Sequence, residues 1–470
     1  MSVVTTVNPA TGLPLAEYPA WTDAEVDSAL DRAVAAQADW AARSLDERAA
    51  VLRRAAGVLR ADAAELALLI TREMGKPLAE SAAEVEKCAT ACDWYAEHAA
   101  SLLADEPVDT SADRSWIAYE PVGVVLAVMP WNFPLWQVVR FAAPALMAGN
   151  AALLKHSPNT TGCALAVARV LSAAGAPAGL FAALVVAEPD VPDVTARLIA
   201  HPGVGAVTIT GSERAGSAVG AAAGRAIKRS VLELGGSDPF VVLADADLPR
   251  VAGMATKARY LNAGQSCISA KRFIVDSSVA EEFTRLLVAE VEALTVGDPE
   301  APGTDIGPMA RPDLRQQVHE QVEASVATGA RLLTGGCALP GAGNFYAPTV
   351  LTDVVPGMPA YDAETFGPVA AVIIADGEDD AIRIANDTRF GLGASVWTAD
   401  PDRGVSVARR IRSGAVFVNA VVASDVRMPF GGTKASGYGR ELATAGIREF
   451  VNVRTWWVLD EPAGQAPVTE

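Results

Sequence analysis

Residues 122–159, VGVVLAVMPWNFPLWQVVRFAAPALMAGNAALLKHSPN, decide the fold. The stretch opens on a continuous apolar run, 122–128, the pattern of a strand buried on both faces of a parallel sheet. A helix is predicted over about 134–148 and a second strand over 151–154. Further along, a helix at 160–174 and strands at about 182–186 and 206–210 continue the alternation. Repeated βα units with short turns predict a doubly wound parallel sheet.

Upstream, Thr22 and Glu25 read as a capping box that opens a helix to about Ala42. Two more helical stretches are predicted over 46–72 and 78–103. A second βα series begins near 239–243. Its helices fall around 248–262, 279–294, 311–328, 378–387 and 401–412, and its strands near 272–276, 368–375, 394–398 and 415–419. Two series imply two α/β domains with a cleft between them. The polar segment 106–121 interrupts the first series, and 455–459 reads as a lone strand near the C-terminus. Strands that belong to neither sheet suggest pairing between protomers.

The chain has 470 residues, enough for two or three domains. Hydrophobic residues at 51% and charged residues at 20% exclude a disordered protein. With 38 Lys+Arg against 56 Asp+Glu, the net charge is −18. Such a surface repels phosphate backbones and anionic lipid, so no nucleic-acid or membrane partner is expected. Five cysteines are too few for a disulfide scaffold of this size. Cys88 and Cys92 lie one helical turn apart, but the four histidines form no spaced set with them, so no metal site is expected. No basic-then-apolar leader opens the chain, and no apolar run is long enough to span a bilayer. A soluble protein of a reducing cytoplasm is the expectation.

Three segments carry candidate chemistry. In AVTITGSERAG, a strand ends at Thr210, Gly211 turns and Ser212 caps a helix whose N–H groups would face a phosphate. Such turns are also common for geometric reasons alone. In LNAGQSCISAKRF, Cys267 sits in a loop of small residues where a thiolate can be exposed, although most free cysteines are buried and inert. Glu233, in VLELGGSDP, follows an apolar run, where a carboxylate is costly unless paired or working. In VMPWNFPLWQVVR, Asn132 is held between aromatics and prolines and could donate to an oxyanion; a plain turn or N-cap also suits it.

The ordered set PWNFP (130–134), LELGG (232–236), GQSC (264–267), ETFGP (364–368) and PFGG (429–432) resembles the aldehyde dehydrogenase superfamily. The resemblance covers about residues 5–458. LLKHSPN, VLELGGSDPF, GQSCISAKRF and PFGGTKASGYGRE are similar to the short bacterial succinate-semialdehyde dehydrogenases. The resemblance implies that Cys267 attacks the aldehyde carbon. Asn132 and the Cys267 N–H would hold the oxyanion, each donor worth roughly 3–4 kcal/mol. Hydride transfer would leave a thioester, which water activated by Glu233 would hydrolyse. It further implies that Glu364 binds the nicotinamide ribose and Phe366 lies beside the ring. Gly211, Ser212 and Gly216 would form the pyrophosphate turn, and Trp131 and Lys155 would line the adenosine-ribose site.

Relatives that prefer NAD usually carry a Glu three residues after the LLK lysine. Here Pro158 stands there, so no carboxylate repels a 2′-phosphate, and Lys155 with Ser157 could bind one. NADP is favoured over NAD. For the substrate, Arg140 occupies the place of an arginine that binds the succinate-semialdehyde carboxylate in the longer enzymes. The second such arginine would fall at Leu261; Ser424 or Arg427 could replace it. Trp136 and Phe430 would wall the aliphatic part. Glutarate semialdehyde or another short aldehyde would suit the same chemistry. A cysteine thioester hydrolase or acyltransferase is an alternative class, but it leaves Glu364 and Lys155 without purpose. The expected organisation is a cofactor domain over 1–105 and 123–234, a catalytic domain over 235–440, an oligomerisation arm over 106–122 and 441–460, and a tail over 461–470. A homodimer or homotetramer is expected.

Overall fold

The computed structural model describes residues 2–460, so the tail expected at 461–470 lies outside the described residues. The run at 122–128 becomes the strand Val124–Met129. It lies in a six-stranded sheet in the order Gly437–Tyr438, Arg229–Glu233, Val204–Thr210, Val124–Met129, Ala151–His156, Phe181–Leu184. All pairs are parallel except Gly437–Tyr438 against Arg229–Glu233. Val124–Met129 is flanked by Ala151–His156 on one side and Val204–Thr210 on the other, so the strand order reverses there. A crevice opens beyond the strand ends at such a point. Residues 130–132 and 210–212 leave their strands into it.

The second sheet has seven strands in the order Arg331–Thr334, Thr349–Thr352, Val369–Ala375, Ala270–Asp276, Asp238–Val242, Ser395–Trp397, Phe417–Val418. Only its first pair is antiparallel. The predicted helices of both series are present, from Asp23–Ala41, opened by the Thr22–Glu25 capping box, to Pro401–Ala408. The stretch read as one helix over 46–72 is two, Leu45–Ala61 and Ala63–Met74, because the Asp62 backbone leaves the helical region at φ −94°, ψ 11°.

The C-terminal strand is not alone. Val451–Val458 pairs antiparallel with Arg114–Pro121, inside the segment read as a polar interruption, and Glu106–Pro107 completes a three-stranded sheet. Trp116 and Trp456 stack across this pair at 5.3 Å. Among the described residues, no helix is long and apolar enough to cross a membrane, and no group of His, Cys, Asp or Glu is arranged to hold a metal.

Candidate active site

Cys267 follows a short turn, Leu261–Gly264, in which Asn262 and Ala263 take left-handed φ values of 57° and 52°. Left-handed non-glycine residues cost energy and persist where their surroundings fix them. Here the Asn262 side chain donates to the Asn132 and Gln265 carbonyls, and Gln265 donates back to the Asn262 carbonyl. Behind the loop, buried Lys271 donates to the Ser266 and Cys267 carbonyls at 2.8 and 2.6 Å. These bonds lock the loop that carries Cys267 onto the segment 130–134.

Two cavities meet at this loop. One, of about 370 Å³, is lined by Trp131, Asn132, Gly211, Ser212, Glu364 and Phe366. The other, of about 290 Å³, is lined by Trp136, Arg140, Ser424, Phe430, Lys257 and Lys87. Cys267 and Gln137 line both. The cysteine therefore stands where contents of the two cavities would meet. Burial pushes its thiol up to about 12, against the opposing charges of Lys271 and Arg140.

Asn132 is buried, and its orientation is fixed. Its Oδ1 accepts from Gln137 Nε2 at 2.9 Å, and its Nδ2 donates to the Gln265 carbonyl at 3.0 Å. An amide nitrogen carries two N–H groups, so one remains for a ligand. Among the described residues, the Cys267 N–H has no hydrogen-bond partner.

On the first cavity's floor, Glu364 Oε1 accepts from the Gly236 N–H at 3.1 Å and pairs with Lys271 at 3.3 Å. Its Oε2 lies so close to Gly235 that a Cβ there would sit 2.3 Å away. Buried Arg259 holds the same segment by donating to the Thr365, Gly367 and Val369 carbonyls. Phe366 meets Trp131 edge-on at 5.8 Å. Ser212 caps the helix Glu213–Arg225, its Oγ accepting from the Ala215 N–H. Lys155, Ser157 and Pro158 lie at the C-terminal end of Ala151–His156, beyond the walls of either cavity. The Ser157 N–H bonds the Met129 carbonyl, tying that end to the crevice strand. Burial lowers Lys155 to about 8, with Glu188 opposing.

These features match known proteins over nearly the whole chain. The model of the aldehyde dehydrogenase family matches residues 2–456. The chain belongs to that family. A probable NADP-dependent succinate-semialdehyde dehydrogenase of a Synechocystis species is 50% identical over 97% of this chain and 99% of its own. The NAD(P)-dependent succinate semialdehyde dehydrogenase of Escherichia coli is 49% identical, over 96% and 97%. The succinic semialdehyde dehydrogenase of Streptococcus pyogenes, solved with NADP+, is 35% identical with a TM-score of 0.94, over 97% and 100%.

In this aldehyde dehydrogenase, Glu233 is buried off both cavities, and neither carboxylate oxygen has a hydrogen-bond partner among the described residues. Burial raises it well above the usual carboxylate range, and the charge of Glu441 adds to this; Arg140 and Arg440 oppose.

Several expected contacts fall elsewhere. Arg140 is buried and ion-paired with Glu441, bonds Thr210 Oγ1 at 3.2 Å and stacks on Phe430 at 4.6 Å. Its charge is shared with Glu441, and it still lines the second cavity beside Cys267, where the substrate-binding expectation put it. Arg427 is corrected: its side chain is 73% exposed and forks onto Asp425, away from the cavity wall. Gly216, expected beside Gly211 and Ser212, does not line the first cavity. A Cβ there would meet Leu234 at 2.3 Å, so its smallness serves helix-to-strand packing. Sequence reasoning missed Lys87, which shares the buried stripe of the helix Leu78–Leu102 with Glu84, Cys88 and Ala91. A lysine on an otherwise buried stripe at helical spacing was the available signal.

Proposed function

We propose that this aldehyde dehydrogenase oxidises a short ω-carboxylated aldehyde, succinate semialdehyde foremost, to the carboxylate, with NADP favoured over NAD. One observation carries the reading: Cys267 is shared by two cavities, one edged by a helix N-terminus and Glu364, the other walled by Trp136 and Phe430. The first cavity fits a dinucleotide, since Gly211 turns the chain so that the Ser212 and Glu213 N–H groups open the helix at the strand end, and Glu364 offers a carboxylate for ribose hydroxyls. The nicotinamide, when bound, accepts the hydride. Cys267 adds to the aldehyde carbon, and Asn132 Nδ2 and the Cys267 N–H stabilise the oxyanion. Glu233 takes a proton from the water that hydrolyses the thioester. The named relatives support both substrate and cofactor.

The test is a steady-state panel of succinate semialdehyde, glutarate semialdehyde, butanal and hexanal with NAD and NADP. The highest kcat/KM is expected for succinate semialdehyde with NADP. A clear preference for butanal would overturn the substrate assignment. Pro158→Glu is expected to raise KM for NADP at least about tenfold, because a carboxylate would repel the 2′-phosphate. An unchanged NADP-to-NAD ratio would place cofactor choice elsewhere. Gly235→Ala is expected to raise KM for either dinucleotide about tenfold, by displacing the Glu364 carboxylate.

The same reading places the protein in a reducing cytoplasm as a homodimer or homotetramer. Its cysteines are unpaired. Val451–Val458 is an edge strand of the three-stranded sheet, and Val453 and Trp457 on it are about half exposed, an arrangement suited to a second copy.

A further inference from the structure

The second cavity has three basic side chains on its walls: Arg140, Lys257 and Lys87. Arg140 is neutralised by Glu441, with Glu233 adding a further acidic neighbour. Lys257 is exposed in the last turn of the helix Leu248–Tyr260, at the rim. Lys87 differs from both. Its side chain is half-buried, and its Nζ lies 4.4 Å over the Trp136 ring and donates to Ser424 Oγ at 2.7 Å. Among the described residues, no carboxylate lies within ion-pair distance of this ammonium: nearby Asp425 is engaged by Arg427, and Glu84 by Lys76.

An ammonium with a hydroxyl and an aromatic face as its only partners is under-compensated in a partly desolvated cavity. Two of its three N–H donors remain for a ligand, and the Ser424 hydroxyl is placed to donate to the same ligand. The other walls, Phe133, Ile268, Val421, Val422 and Phe430, are apolar and suit a short carbon chain. Cys267 shares the cavity, so an aldehyde with its carbonyl at the thiol and a carboxylate at the far end would place unlike charges together.

We infer that Lys87, assisted by Ser424, is the residue that recognises the substrate's distal carboxylate, while Arg140, on the same cavity wall, has its charge balanced by Glu441. The inference rests on the proposed oxidation of an ω-carboxylated aldehyde. It makes Arg140 a positioning residue that fixes Phe430 and the Glu233–Glu441 pair. The groups that face Lys87 are Glu84 and Cys88 on its own helix, Arg140 on the helix Trp136–Met147, and Asp425 on the loop after Ser424. Burial first and Arg140 second bring the ammonium down to about 8. KM for the carboxylated substrate therefore rises as pH passes about 8, where the cation is lost.

The test uses the full-length enzyme and its Lys87→Met, Lys87→Arg and Lys257→Met variants, each assayed with succinate semialdehyde, glutarate semialdehyde and butanal. A hydrogen bond to a charged group is worth enough that Lys87→Met should lower the kcat/KM ratio of succinate semialdehyde over butanal by about 10- to 100-fold, mostly through KM. Lys87→Arg should restore most of that ratio, and Lys257→Met, an exposed charge at the rim, should lower it less than Lys87→Met does. An unchanged ratio in Lys87→Met, or a loss confined to Lys257→Met, would overturn the inference while leaving the proposed function standing. A wild-type preference for glutarate semialdehyde that Lys87→Met abolishes would revise the substrate and keep Lys87 in its role. A wild-type preference for butanal would overturn both.

Discussion

Cys267→Ala is expected to abolish aldehyde oxidation, lowering kcat by roughly 10⁴-fold or more, the scale seen when a covalent nucleophile is removed. No other thiol can substitute. Cys88, Cys92 and Cys163 are buried in helices, where burial pushes each thiol far above its ordinary range. Cys337 is exposed and lines neither cavity. The Cys267 thiol is itself raised to about 12, so it is protonated at rest and must lose its proton as substrate arrives. Burial is the main cause of that rise, and the charges of Glu364 and Glu233 add to it. Dinucleotide binding should survive the substitution, because Glu364, Gly211 and Ser212 do not depend on the thiol. Absorbance of the reduced nicotinamide reads the activity, and a binding titration reads the cofactor. Near wild-type turnover in Cys267→Ala would exclude the cysteine as nucleophile.

Glu233→Gln is expected to leave acylation largely able to proceed but to slow thioester hydrolysis by about 10²–10⁴-fold, the usual contribution of a positioned base. A burst of reduced cofactor close to one equivalent per active site should precede a slow steady state. Deacylation in the wild type should also accelerate as pH rises. Burial, and then the charge of Glu441, raise the Glu233 carboxyl well above the usual range, so raising the pH increases its carboxylate fraction. The variant should lose this dependence. Rapid-mixing traces at several pH values test both points, and a uniformly slow trace without a burst would assign the base to another group. Glu233 lies off the cavities in the structure, so its side chain must turn toward Cys267 to serve.

The fold was legible where strands are buried on both faces. Val124–Met129 and Val369–Ala375 are almost wholly apolar, and hydropathy alone marks them. Arg331–Thr334 is a short, partly exposed edge strand, and Gly437–Tyr438 has only two residues, too few for any period. The pairing of Arg114–Pro121 with Val451–Val458 is long-range, so neither partner announces the other. The site shows the same division. Asn132, Cys267, Glu364 and Phe366 sit in recognisable segments, and the structure brings them to one place. The commitment of Arg140 to Glu441 depends on tertiary packing and leaves no local trace. Two misses were within reach: Asp425 stands two residues before Arg427, close enough to bind it, and Lys87 interrupts a buried helical stripe.

Covalent capture tests the central chemistry most directly. Glu233→Gln is incubated with succinate semialdehyde and NADP, quenched in acid, digested and mapped by mass spectrometry. A succinyl adduct on the peptide carrying Cys267, formed only when both aldehyde and dinucleotide are present, is the expected result. No adduct, or an adduct on a peptide without Cys267, would contradict a cysteine thioester at the junction of the two cavities.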